Sequence, residues 1–317
     1  MKKVIITAIT ALVLFSCQNE SSESANADAA IASRRACATQ DVLEAQLKAD
    51  PTLAVRMNEI EAITNEKILS GRLVNGKIEI PVVVNVLYRT TAENISAAQI
   101  QSQIDVLNKD FNALNTDYNS VPALFSGVKA NIGITFVLDQ IIRKSTTKTS
   151  WGTNDAMKKT AQGGIAPTSP TTKLNMWSCT IGGGILGYAQ FPGGASSTDG
   201  VVIDPKYFGL SGAANAPFNL GRTATHEVGH WMNLRHIWGD ATCGSDLVAD
   251  TPTHNTANYG VPAYPHYSTC SGTPVEMTMN YMDYVDDNAM YMFSTGQKNR
   301  ISAIFASGGA RNSFAQP

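Results

Sequence analysis

The apolar positions of this chain switch between two periods. Ile78-Glu79-Ile80-Pro81-Val82-Val83-Val84-Asn85-Val86-Leu87-Tyr88 is crowded with β-branched residues and reads as a strand. Ser96 then stands where a helix cap belongs, and Ile100, Ile104, Leu107, Phe111 and Leu114 step by four and three along one helical face. Ile132, Ile134, Phe136 and Leu138 alternate, which predicts a second strand; Leu174–Ser178 reads as a third and Asp199–Ile203 as another. Strand, helix, strand points to an α/β sheet packed on a helix. Ahead of this, residues 41–70 have helical spacing, with Asp41 placed to cap and Val42, Leu43 and Leu47 on one face. Pro51 divides that stretch, a second helix runs from about Thr52 to Leu69, and Gly71 to Gly76 is a turn-rich break. Residues 237–275 carry Pro, Thr, Gly and Asp with little periodicity, and Ser294 with Gln297 reads as a capping box opening a last helix through Ile301, Ile304 and Phe305.

Between the third strand and the next lies Gly182-Gly183-Gly184-Ile185-Leu186-Gly187-Tyr188-Ala189-Gln190-Phe191-Pro192. Glycine and proline flanks suit an edge strand. Gly187, Tyr188 and Ala189 would then be where an extended peptide docks by strand addition. A plain surface hairpin is the alternative.

The chemistry concentrates in His226-Glu227-Val228-Gly229-His230-Trp231-Met232-Asn233-Leu234-Arg235-His236. Three of the chain's five histidines fall in this window. On a helix from about Phe218 to Asn233, His226 and His230 share one face a turn apart and can point at one metal ion. Glu227 stands beside them, placed to hold a water. Asn233 tolerates the left-handed backbone that ends many helices, and a turn there brings His236 back. Three neutral nitrogens and an open fourth position are the recipe for a catalytic zinc.

Composition narrows the setting. With 317 residues, 43% hydrophobic and 16% charged, the chain can bury a full core. The net charge is −2 and no basic run follows Lys2 and Lys3, which argues against a nucleic-acid partner. Lys2, Lys3 and the apolar stretch Val4 to Phe15 read as an export signal too short to span a membrane. Leu14-Phe15-Ser16-Cys17 resembles a bacterial lipobox, which would make Cys17 a lipidated N-terminus; an ordinary secretory signal would also lead out of the cytoplasm. Residues 18–36 are polar and suit a flexible tether. In an exported protein Cys243 and Cys270, bracketing a loop-rich segment, are expected to pair, and Cys179 reads as a small buried hydrophobe. Cys37 stands in a pre-domain segment, where its thiolate could fill the open zinc position until that segment is cut away. Asp246, Asp250 and Thr251 could offer hard oxygen ligands to calcium.

These motifs together resemble the metzincin clan of zinc peptidases, and within it the pappalysin family in the branch typified by ulilysin. The resemblance covers nearly the whole chain after the tether: Arg34-Arg35-Ala36-Cys37 is similar to the family's propeptide switch, with Ala38 where glycine is usual. Ile80–Val84 resembles the start of its catalytic domain, and Gly187–Pro192 its edge strand. Cys243 with Asp250-Thr251-Pro252 resembles its calcium and disulfide loop, and Asn280-Tyr281-Met282-Asp283-Tyr284 its methionine turn. The fold implied is an α/β (α+β) zincin. It has a twisted mixed sheet, a backing helix, an active-site helix and a smaller irregular C-terminal subdomain ending in a helix. The domain layout would be signal 1–17, tether 18–36, inhibitory propeptide 37–77 and peptidase domain 78–317, divided at residue 236.

The implied roles are zinc binding by His226, His230 and His236, acid–base work by Glu227, a hydrophobic floor from Met282 and an oxyanion donor in Tyr284. Activation would follow a cut at Arg56, Lys67, Arg72 or Lys77, with Arg72 favoured, and relatives select arginine beside the scissile bond through an acid after the methionine turn. Here that stretch reads Asp286-Asp287-Asn288, and one residue of slippage would change which side chain reaches the pocket. The expected protein is a monomeric exported bacterial zinc endopeptidase acting on proteins or peptides. Its membrane contact would be the lipid anchor, at the outer membrane or cell surface until propeptide cleavage releases it. The competing reading is a catalytically silent lipoprotein binding module on the same fold, which loss of Glu227 or of a ligand would mark; none is lost.

Overall fold

The computed structural model describes residues 34–71 and 77–315. The signal, Cys17 and most of the tether lie outside the described residues, as does Arg72. Among the described residues no helix is long and apolar enough to cross a membrane.

Two helices come first, α1 (Thr39–Ala49) and α2 (Thr52–Ser70), parted at Pro51 as the sequence predicts. The first starts two residues before Asp41, which sits in its opening turn rather than capping it. Strand β1 (Ile78–Tyr88) leads to α3 (Ala97–Asp110), whose N-cap Ser96 accepts from the Gln99 amide at 3.0 Å. Next come β2 (Lys129–Ala130), β3 (Ile134–Ser145), β4 (Leu174–Ser178), β5 (Gly187–Ala189) and β6 (Val201–Ile203). The chain closes with α4 (Arg222–Trp231), β7 (Phe293–Ser294) and α5 (Thr295–Phe305). The main sheet has the order β3-β1-β4-β6-β5: neighbours pair in parallel except β5, which runs antiparallel to β6 at the edge.

Strand β1 is apolar at nearly every step because the sheet is covered on both sides. Ile80, Val82, Val84 and Val86 pack with Ile100, Ile104, Leu107 and Phe111 of the helix side. Leu87 meets Trp177, Tyr188, Val202 and Met157 on the other. Leu114 departs from the predicted face: the helix ends at Asp110, and Leu114 is 70% exposed in the following loop.

The backing helix also places α4. Thr225 donates to the buried Asp110 carboxylate at 2.7 Å, and the Gln103 amide donates to Gly221 O at 2.9 Å just before α4 begins. Burial pushes Asp110 up to about 6, while Arg222 and Thr225 pull it back. The active-site helix is shorter than the 218–233 predicted. Gly221 has φ +76°, a conformation that ends helical geometry on that side, so helical hydrogen bonding starts only at Arg222.

Candidate metal centre

Helix α4 carries His226, Glu227 and His230, all buried, and stops in a Schellman arrangement. The Leu234 amide bonds Gly229 O at 3.0 Å and the Asn233 amide bonds His230 O at 2.9 Å, with Asn233 at φ +71°. That left-handed residue reverses the chain and returns His236 to the same spot, as its residue type predicted.

Each imidazole is oriented by an acceptor on its Nδ1. His226 meets Tyr281 O at 2.7 Å, His230 meets Leu234 O at 2.8 Å, and His236 meets the Asp240 carboxylate. The Nδ1 atoms are therefore the protonated ones, and the three Nε2 lone pairs face one another, His230 standing 3.1 Å from His226 and 3.0 Å from His236. Such lone pairs repel unless a cation lies between them. A tetrahedral zinc with bonds of about 2.0–2.1 Å would set its nitrogens roughly 3.3 Å apart, close to what the protein provides. Burial, and then the neighbouring rings, hold His226 and His230 well below the usual histidine range, which keeps them neutral ligands. The residues therefore fit zinc.

The fourth donor is Cys37. Its Sγ and the three histidine nitrogens lie within 4.8 Å of one another, and among the described residues this is the one group of three or more His, Cys, Asp or Glu able to hold an ion. The thiol donates to Glu227 Oε2 at 3.3 Å. Thr39, unremarked in the sequence, ties the pre-domain segment to the same oxygen at 2.8 Å through its hydroxyl. Burial raises Glu227 to about 7, with the bonds from Cys37 and Thr39 working against the rise.

The methionine turn lies under this centre. Met282 is fully buried, and its sulfur sits 2.5 Å from where a Cβ on Gly229 would stand. Gly229→Ala is thus expected to overpack α4 against the turn and cost about 1–3 kcal/mol, read as a lower Tm of the zinc-loaded protein. Asn280 clamps the turn to α5 through paired bonds of 2.8 and 2.9 Å with the Gln297 side chain. Gln297 also completes the predicted capping box with Ser294. Tyr284 donates to Cys37 O at 3.1 Å, so it reaches a peptide carbonyl at the metal site.

The pre-domain segment runs along the edge strand in parallel: Leu186 N meets Ala36 O at 2.9 Å, and Ala38 N meets Gly187 O at 3.1 Å. Ala189 N donates to the Thr39 hydroxyl at 2.8 Å. Of the predicted docking residues, Gly187 and Ala189 use their backbones, whereas the Tyr188 ring points into the core, its hydroxyl 3.0 Å from Asp155. Alternation along the strand sends it to the far face.

Arg35 enters a closed pocket. Its Nη2 meets Asp287 Oδ1 at 2.6 Å, Nη1 meets the Thr223 hydroxyl at 3.2 Å and Nε meets Val285 O at 3.1 Å, with both charged side chains at most 1% exposed. Of Asp286, Asp287 and Asn288, it is Asp287 whose carboxylate meets the Arg35 guanidinium. Its other oxygen accepts from Leu220 N at 2.8 Å and Arg222 N at 3.3 Å, at the start of α4, where the helix end favours a negative charge.

The residues expected to offer oxygen ligands to calcium make hydrogen bonds within the C-terminal loops. Asp246 accepts from the Thr251 hydroxyl and the Val248 amide, while Asp250 accepts separately from Ser294 Oγ at 2.6 Å and Gly296 N at 2.8 Å. These carboxylates cap and brace the C-terminal loops. Cys243 and Cys270 are disulfide-bonded, and Cys179 is buried and free, both as predicted.

Comparison with known proteins agrees with this centre. Residues 178–306 match the peptidase family described as Pregnancy-associated plasma protein-A. An extracellular metalloprotease of Pyricularia oryzae is 32% identical over 283 residues, covering 85% of this chain and 88% of that protein. A promirolysin mutant from Tannerella forsythia superposes with a TM-score of 0.81 at 38% identity, covering 89% of this chain and 97% of the other. Mature mirolysin of the same organism, solved with a cleaved peptide, gives 0.74 at 41% identity, covering 76% and 97%.

Proposed function

The chain belongs to the pappalysin family of metzincin zinc metalloendopeptidases, and from that premise we propose a zymogen whose pre-domain segment fills the metal site and the specificity pocket together. The observation that carries this reading is the joint placement of Cys37 among the three histidines and of Arg35 on Asp287.

His226, His230 and His236 would hold a zinc ion, which would supply Lewis acidity for a nucleophilic water and a scissile carbonyl near neutral pH. Glu227, whose carboxylate reaches the position of the Cys37 thiol beside the three histidines, is the group placed to take a proton from a nucleophilic water and return it to the departing amine. Tyr284, which donates to the Cys37 carbonyl in the zymogen, donates to the developing oxyanion of a substrate. An incoming peptide lies antiparallel on β5, opposite in sense to the pre-domain segment, and places an arginine just after its scissile bond into the Asp287 pocket. The reversed sense explains why a segment bearing Arg35 at the pocket is not itself a good substrate.

Activation requires loss of this segment. Arg56 and Lys67 are inside helix α2, where a protease cannot draw the backbone extended, and Arg56 is also bonded to Asp50 and Gly193 O. That leaves Arg72 and Lys77, just before β1. The promirolysin and mature mirolysin matches differ by 13% of this chain, about 41 residues, the length of segment 37–77. Export follows the extracellular relatives; anchoring through Cys17 follows the lipobox, and a cut near Arg72 would free the active domain from the anchor.

The test is Cys37→Ala in the intact chain, compared with intact parent and with a domain trimmed to residue 73. Intact parent should be nearly silent on casein, trimmed protein fully active and inhibited by chelators, and intact Cys37→Ala measurably active. Equal rates for intact and trimmed parent would end the zymogen reading. A trimmed protein that binds zinc and cleaves nothing offered would favour the silent binding module.

A further inference from the structure

Arg35 has a neighbour whose contact is separate from the Asp287 pocket. Arg34 leaves the same stretch of chain, and its guanidinium carbon lies 3.8 Å from the centroid of the Tyr259 ring. That is well inside the range at which an aromatic face attracts a cation. The two adjacent arginines fill two different sites at once, Arg35 on Asp287 and Arg34 on the Tyr259 ring.

Tyr259 is not a loose surface ring. On one side of it in sequence, Asn258 is pinned: its amide N–H donates to Asp283 Oδ1 at 2.8 Å, and its side chain donates to Asp283 Oδ2 at 3.0 Å and to Glu276 Oε2 at 2.8 Å. On the other, Gly260 O accepts from the Asp286 amide at 2.9 Å. The ring itself stands 5.9 Å from the Tyr284 ring, centroid to centroid. A fixed aromatic face is thus held between the methionine turn and the Asp287 pocket, still 38% exposed with Arg34 upon it. Asp286, partly exposed and close enough to feel the Arg35 charge, adds negative potential on this side.

We propose that Tyr259 is a specificity-determining residue of the active enzyme: it receives a cationic side chain at the second position after the scissile bond, so that paired basic residues are the preferred cleavage context. This rests on the reading above that Arg35 marks the pocket for the first residue after the bond. A substrate running opposite to the pre-domain segment meets the two sites in the same spatial order, moving away from the metal, as Arg35 and then Arg34 do. Arginine and lysine gain from the ring face, apolar residues are tolerated on it, and a glutamate there is opposed by Asp286 and Asp287.

The experiment uses the trimmed, zinc-loaded enzyme and quenched peptides identical except at the two positions after the scissile bond: Ala-Ala, Arg-Ala, Arg-Arg and Arg-Glu. The Arg-Arg peptide should exceed Arg-Ala in kcat/KM by about two- to fivefold, the size of an exposed cation–π contact, and Arg-Glu should fall below Arg-Ala. Tyr259→Ala should bring the Arg-Arg to Arg-Ala ratio to near one, and Tyr259→Phe should keep most of it. Because the ratio is internal to each variant, a change in active fraction cancels. Equal rates for Arg-Arg and Arg-Ala in the parent, or a ratio that survives Tyr259→Ala, would overturn the proposal while Arg-Ala above Ala-Ala still upholds the Asp287 pocket. Arg-Ala no better than Ala-Ala would remove the pocket itself, and the second site falls with it.

Discussion

Glu227→Ala in the trimmed domain is expected to keep one zinc per chain and to lose about four orders of magnitude in kcat, the upper end of what a positioned acid–base group contributes. The expectation follows from the division of labour in α4. The proposed ligands, His226, His230 and His236, are each oriented by their own acceptor, and none of those acceptors is Glu227. The carboxylate instead reaches into the space occupied by Cys37 and Thr39 of the pre-domain segment. Removing it should leave the histidine cluster intact and take away the proposed acid–base group. In the intact chain the same change removes two bonds that hold the pre-domain segment, so the segment of the variant should be more readily trimmed by an added protease. Zinc content by metal analysis and peptide hydrolysis are measured on the same samples. Loss of zinc in the variant would show that Glu227 supports the cage; near-parental activity would remove it from proton transfer.

Much of this centre is legible in the sequence because its first requirements are local. His226 and His230 are a helical turn apart, Asn233 supplies the left-handed residue, and His236 follows by three. The strands β1, β4 and β6 show in their β-branched and apolar runs for the same reason. The residues that were missed act across the fold. Asp240 orients His236, and Trp238 stacks on that ring at 4.4 Å, but an acid and an indole in an irregular loop carry no periodic signal. Arg311 bonds Trp231 O at 2.6 Å and pairs with Asp199, bracing the end of α4 from the far C-terminus. Thr39 sits 188 residues before the glutamate it touches. The extent of α4 was overread because Phe218 to Gly221 has the apolar content of a helix, while the deciding feature is a single positive φ.

Asp287→Asn is the substitution expected to separate recognition from catalysis. The parent carboxylate has two jobs, one oxygen toward the Arg35 guanidinium and the other toward the Leu220 and Arg222 amides. Asparagine can keep the second with its own oxygen, which preserves the start of α4 and with it the zinc ligands. It then turns an NH2 group toward the guanidinium, donor against donor, in a pocket whose charged side chains are at most 1% exposed. Breaking a buried ion pair on one side typically costs about 3–5 kcal/mol, because the remaining charge stays desolvated. For a substrate with arginine after the scissile bond, kcat/KM should therefore fall by roughly two to four orders of magnitude. A peptide with alanine there never used the carboxylate, so the preference for arginine should collapse toward unity. The same lost pair loosens Arg35, so the intact variant should leak activity even with Cys37 in place, and combining it with Cys37→Ala should leak more than either alone. The outcome that defeats this account is an arginine preference that survives Asp287→Asn at full zinc occupancy. Selection would then rest on Asp286 or on backbone carbonyls such as Val285 O, and the contact between Arg35 and Asp287 would be a lock for the zymogen with no counterpart in substrate binding.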